Sequence, residues 1–348
     1  MAENDRGSAL SQHGSPGERL PGLDGLRAIF CIGVVLFHVS DAFDSVFSGL
    51  LGPVYAFGGY FGNYIFFIIS GLLTALRYKK PLTEGRCPFR SFAGKRLLRI
   101  YPLYVLSNLA VMLLPGVRIT PQRTVSTFLL LAAGCPFVPY NDPAWFLCVL
   151  MICSLFYYLT GRISLRRPAL YLPLCALFAA SGAVLMRHSP ELPLLCRTCG
   201  EGYLNFFLGV LFAEALTSPS VSRRLLQAAG CIVLCAAAAG IACFGLEGMP
   251  GDMRWAVSAC CLSLVCLAVS AGPLIRLLRL PPLQALGACS FSVYLWHVPF
   301  ARWLFFLEGR LGLQIADQRP NFILYLALLI ELSILSHHVL ERKRRSLP

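Results

Sequence analysis

Ten apolar stretches of membrane-spanning length run along this chain, at about 22–40, 59–77, 100–115, 144–160, 168–187, 203–217, 226–246, 254–272, 284–305 and 321–340. Crossing a bilayer takes roughly 20 mostly apolar residues at 1.5 Å rise. In hydrocarbon each such segment has to satisfy its own backbone hydrogen bonds, so it folds as a helix. Hydrophobic residues make up 57% of the chain and charged residues 14%, a balance outside that of a soluble globular domain. The expected fold is an all-α membrane protein of about ten transmembrane helices in a single domain, residues 21–345. Residues 1–20 are polar and rich in Ser and Gly, the composition of a disordered tail. They have no apolar core of the kind a signal peptide needs.

The stretch from Thr124 to Pro139 is apolar but only about 16 residues long, and Gly134, Pro136 and Pro139 interrupt it. As a full span it would invert every later loop, so a re-entrant or interfacial helix is expected. With that reading, 22 of the 30 Lys and Arg fall on the side of the N-terminus, which the positive-inside bias makes the cytoplasm. Both termini are then expected to be cytoplasmic. The net charge of +13 is thereby a topology signal distributed over loops, and nucleic acid is not an expected partner. Of the 15 cysteines, most lie inside spans, where Cys acts as a small apolar residue. Cys196 and Cys199 stand in an outer loop at a spacing that allows a disulfide. No second ligand pair accompanies them, so no metal site is expected.

An ionisable group inside a span is costly and is a functional-site hypothesis by default. Arg27 and His38 lie 11 residues apart in the first stretch, about three turns and roughly 16 Å along a helix, on nearly one face. The column places a cation at the inner headgroup level and an imidazole deeper along the same path. Asp41 follows one turn later and can accept a hydrogen bond from the ring. A second intramembrane histidine, His297, lies one turn from Tyr294, with Ser290 one turn before that. Arg96 and Arg99, at i and i+3, can converge on one phosphate. Read without function, these residues are a snorkelling Arg, interhelical hydrogen bonds and a lipid-headgroup anchor. Ser70 and Gly71 permit close helix approach, and Glu331 lies mid-span, where an interhelical hydrogen bond is the expected role.

In order along the chain, Gly22-Leu23-Asp24-Gly25-Leu26-Arg27-Ala28 with His38, Phe66 to Gly71, Arg96-Leu97-Leu98-Arg99-Ile100-Tyr101-Pro102, Trp145-Phe146-Leu147, Phe207-Leu208-Gly209 and Ser290 to His297 resemble the membrane-bound acyltransferase family 3. That family includes O-antigen, exopolysaccharide and peptidoglycan O-acetyltransferases. The resemblance implies a multi-pass protein of the cell inner (plasma) membrane, an acyl-CoA donor, most often acetyl-CoA, and a glycan or lipid-linked glycan acceptor such as lipopolysaccharide. It implies that Arg27, Arg96 and Arg99 bind the donor's phosphates. His38 would act as general base or transient acyl carrier, with His297 and Tyr294 lining the same cavity. Ser70, Ser290, Asp41 and Glu331 would support them. Two motifs depart from the family pattern. Trp145 to Leu150 lacks the acids many members carry there, and the usual terminal Glu-Pro is Glu341-Arg342. The chain also resembles members without an added extracytoplasmic hydrolase-like domain. The competing expectation is a secondary transporter or glycolipid flippase using the same Arg/His path. Transporters often show repeat halves, and the sequence shows no internal repeat.

Overall fold

The computed structural model describes residues 20–40, 43, 46, 52–134, 136–244, 254–270, 272–312 and 318–342. The expected N-terminal tail and Asp41 lie outside these residues. Twelve α-helices are described: α1 Pro21–Val39, α2 Gly52–Thr83, α3 Phe89–Met112, α4 Pro121–Phe128, α5 Trp145–Arg166, α6 Tyr171–His188, α7 Arg197–Thr217, α8 Arg223–Phe244, α9 Arg254–Ala268, α10 Pro273–Leu278, α11 Pro281–Leu311 and α12 Gln318–Ser336. A π-helical turn, His337–Arg342, continues α12. Among the described residues there is no β-strand.

Each of the ten apolar stretches coincides with a helix. Among the described residues, six helical segments are long and apolar enough to cross a membrane: Pro21–Val39, Phe61–Thr83, Asp142–Arg166, Pro168–His188, Arg223–Gly240 and Gln318–Glu341; α9 is apolar but shorter. The interrupted stretch after Thr124 is not a span. Thr120 caps α4 by accepting from the Arg123 amide, and α4 ends at Phe128. Leu130 and Gly134 then take positive φ. The chain runs on irregularly against α3, whose Tyr104 and Tyr101 hydroxyls donate to the Thr127 and Phe128 carbonyls. Irregular backbone at this depth is tolerated where protein covers it.

Burial separates a core from a rim. About two thirds of the apolar window of α5 is buried, but only 6% of that of α8. α2 packs on both α1 and α7, and α1 packs on α11. The α2/α7 crossing is set by small residues. A Cβ at Gly71 would strike the Phe206 carbonyl, and one at Gly209 would strike the Ile68 carbonyl. Side-chain-free positions let the two backbones touch, which is the packing role expected for Ser70-Gly71. α1 therefore lies between α2 and α11, and its polar residues face neighbours drawn from both ends of the sequence.

Candidate functional site

Pro299 sits inside α11 and has no N–H to give to the carbonyl four residues back. That carbonyl belongs to Leu295, and it accepts a hydrogen bond from the Asn141 side-chain amide at 2.9 Å. One turn of α11 is thus opened to hold a loop 154 residues away in sequence. The same amide donates to the Ser107 hydroxyl at 3.1 Å, and the Asn141 backbone N–H donates to the Asn108 amide oxygen at 2.9 Å. The Tyr294 hydroxyl donates to the Pro143 carbonyl at 2.5 Å. Arg302 pairs with Asp142 at 2.5 Å, and Arg123 reaches the same carboxylate at 3.2 Å. The short turn from Asn141 to Ala144 is therefore gripped by α3, α4 and α11 together.

The two intramembrane histidines meet beside this turn. The rings of His38 and His297 have centroids 5.2 Å apart. His297 is fully buried. Its Nδ1 lies 2.6 Å from the Tyr294 carbonyl, a bond that makes Nδ1 the protonated nitrogen and leaves Nε2 with a lone pair. Nε2 is buried with no hydrogen-bond partner among the described residues. His38, in contrast, is exposed. It opens into a cavity of about 310 Å³ lined by Val34, Phe37, Gly58, Gly59, Asn63, Trp145, Arg197, Thr198 and Glu201. Asp142 and Arg302 lie within electrostatic reach of its ring. An accessible imidazole backed by a buried one, beside a fixed carboxylate, can move a proton to or from a bound hydroxyl.

The other candidates are placed differently. Ser290 donates to the Gly287 carbonyl, and its own carbonyl accepts from the Cys31 thiol, which ties α11 to α1. The Ser70 carbonyl accepts from Thr74 at 2.6 Å. Arg27 pairs with Asp24 at 3.2 Å at the start of α1. Arg96 donates to the Ser154 and Thr74 hydroxyls at 2.8 and 2.7 Å and lies over the Phe92 ring at 4.7 Å. A guanidinium drawn into the protein must be hydrogen-bonded there. Convergence of Arg96 with Arg99 on one phosphate would require Arg96 to leave these partners, since Arg99 stays exposed. Glu331 is exposed on α12, outside the histidine cluster, with no interhelical hydrogen bond among the described residues. It lies on the outward face of a rim helix. Cys196 and Cys199 are both free thiols.

The sequence profile of the acyltransferase domain family, acyltransferase family 3, matches residues 20–338. The chain belongs to this family. Among the relatives, the O-acetyltransferase OatA of Staphylococcus aureus (strain NCTC 8325 / PS 47) is 22% identical over 338 residues, covering 84% of this chain and 52% of OatA. A protein of Staphylococcus aureus (strain COL) with the provisional name of O-acetyltransferase is 34% identical over 93 residues, covering 26% of this chain and 13% of its own length. The chain thus spans about half, or less, of the length of the curated relatives it matches. No solved structure matches it.

For an acyltransferase family member, the site contains residues that sequence reasoning passed over: Asn141, Asp142, Arg123, Arg302, Asn63 and Glu201. Two signals pointed to the first of them. Asn141-Asp142-Pro143 is a turn signature directly before a motif tryptophan, and a proline inside a helix always frees a carbonyl four residues back. A buried polar group also joins α11 to the π turn. The Ser292 hydroxyl donates to Glu341 at 2.6 Å, and His337 lies 3.2 Å from the same carboxylate. Glu341, the remnant of the family's terminal motif, is therefore a structural acceptor here.

Proposed function

We propose that this chain is an integral membrane O-acyltransferase, most simply an O-acetyltransferase, that moves an acyl group from acyl-CoA to a hydroxyl of a cell-envelope glycan. The observation that carries the reading is the His38/His297 pair, in which His38 opens onto a cavity and His297 is enclosed behind it. His38 is the imidazole that meets substrate, and it takes the proton of the acceptor hydroxyl as that oxygen attacks the acyl carbonyl. The alternative course, in which His38 first carries the acyl group, uses the same atom. His297 stands behind it, its tautomer fixed by the Tyr294 carbonyl, and Tyr294 holds the Asn141–Ala144 turn in place. The donor's phosphates belong at the other end of α1, where Arg27 and Arg99 supply charge and Arg96 braces α2, α3 and α5. The family, the names of the relatives and the apolar helices support this reading. With the arginine end at the cytoplasmic side, the acyl-CoA enters from the cytoplasm and both termini are cytoplasmic.

The test is release of CoA thiol from acetyl-CoA by purified protein in proteoliposomes with an envelope-glycan fraction. Glycan-dependent release by the wild type and its loss by about 10³-fold or more in His38→Ala are expected. Full activity of a folded His38→Ala variant would remove His38 from the chemistry. Absence of release with several donors, together with substrate counterflow, would favour the transporter.

A further inference from the structure

The cavity beside His38 has a wall whose charges are already matched. Arg197 and Glu201 are one turn apart at the start of α7 and pair at 3.3 Å. Glu201 is 8% exposed, with the Tyr64 hydroxyl beside it. Among the described residues lining the cavity, apart from His38, these are the charged ones. The remaining polar groups are neutral. The Asn63 amide oxygen is buried with no hydrogen-bond partner among the described residues, a position that calls for a donor from a ligand or water. Thr198 gives its proton to the Ala133 carbonyl at 2.5 Å, so its oxygen faces further partners as an acceptor. Trp145 and Phe37 add aromatic faces.

We propose that this cavity is the acceptor subsite and that the Arg197–Glu201 pair makes it select neutral, hydroxyl-rich acceptors over acceptors that carry a carboxylate. The proposal rests on the O-acyltransferase reading above. Sugar hydroxyls donate to Asn63, Thr198 and Glu201, and sugar C–H faces lie on the aromatic rings. An acceptor carboxylate reaches Arg197, the more exposed member of the pair, only in competition with the Glu201 carboxylate already bound to it, a like charge at close range. A repulsive element of this kind is how a site discriminates against a near neighbour. Arg197 and Glu201 act here as specificity residues, since the proton transfer belongs to His38.

The two members of the pair should shift selectivity in opposite directions. The measurement is kcat/KM for a neutral oligosaccharide and for its uronic-acid counterpart, with acetyl-CoA fixed, in wild type, Glu201→Gln and Arg197→Gln. The neutral-to-anionic ratio is expected above one in the wild type. It should fall about tenfold in Glu201→Gln, which frees Arg197, and rise in Arg197→Gln, which leaves Glu201 unopposed. Calorimetric binding of the same two saccharides without donor runs in parallel. A ratio that is unchanged, or that moves the same way in both variants, overturns the proposal, as does binding of neither saccharide. Opposite shifts in binding with no CoA release in any variant would keep the saccharide subsite and remove the O-acyltransferase reading. Release by the wild type with unaltered selectivity would do the reverse.

Discussion

The histidine end of α1 and its arginine end are built on different plans. At the histidine end, the turn around Asp142 is held by side chains and carbonyls from α3, α4 and α11, so its geometry is fixed from several directions. At the arginine end, Arg27 pairs with a residue three positions away and Arg99 is exposed, while Arg96 alone is locked between α2 and α5. Chemistry at a hydroxyl needs groups held to a fraction of an ångström. Gripping a long anionic donor needs charge that can adapt. The contrast fits the function proposed above, with catalysis at the histidine end and donor binding at the arginine end.

The sharpest way to break the comparison is Asp142→Asn. It keeps the shape of the turn and removes the charge that Arg123 and Arg302 share. Loss of positioning should lower kcat about 10²-fold with the KM for acetyl-CoA unchanged. A change in donor KM instead would mean that the two ends are not separate.

Next in size is the pair of arginines three residues apart. Arg99→Ala should raise the donor KM about tenfold. Arg96→Ala should lower stability by about 1–3 kcal/mol, because it strips the Ser154 and Thr74 hydroxyls of their buried partner. An unchanged donor KM in Arg99→Ala, or unchanged stability in Arg96→Ala, would refute the division between a donor-binding and a bracing arginine.

The smallest effect concerns access to the histidine end. Cys196 is the residue at the N-cap of α7, and its thiol lies 3.1 Å from the Thr198 hydroxyl. A hydrogen bond from Cys199 brings it down to about 5, against the opposing effect of burial. Below that pH it is protonated and unreactive; above it the thiolate reacts. Cys196 is buried, so labelling by a membrane-impermeant methanethiosulfonate should be slow; its rate should reach its pH plateau by pH 6, and an inflection near that of an ordinary thiol would contradict the hydrogen bond. In sealed vesicles of known orientation, the same labelling reports which face the histidine end occupies.

Periodicity and length located the helices, because a segment in hydrocarbon has one way to satisfy its backbone. The interruption after Thr124 was equally visible, since Gly134, Pro136 and Pro139 lie in sequence where the helix fails. His38 and His297 stood out because ionisable residues are rare in apolar stretches. Asp142 and Glu201 did not stand out. Both lie at the margins of spans, where a charged residue is ordinary; what sets them apart is their pairing with Arg302 and Arg197 and, for Glu201, the cavity it lines. Arg96 and Arg99 looked alike on one helix face, yet packing of α3 against α2 and α5 buries the first and exposes the second.

By itself the sequence determined the class of fold, the places of the helices and the family, since apolar length, charge asymmetry and ordered motifs are properties of the chain read in one dimension. The tertiary structure decided which polar groups meet. Leu295 gains a free carbonyl from Pro299 by a local rule, but that Asn141 fills it depends on α3 and α11 closing around a distant turn. Likewise, His38 is open and His297 enclosed because α1 borders a cavity on one side and α11 on the other. Side-chain chemistry is written residue by residue; exposure and partnership arise only when helices far apart in the chain share a volume.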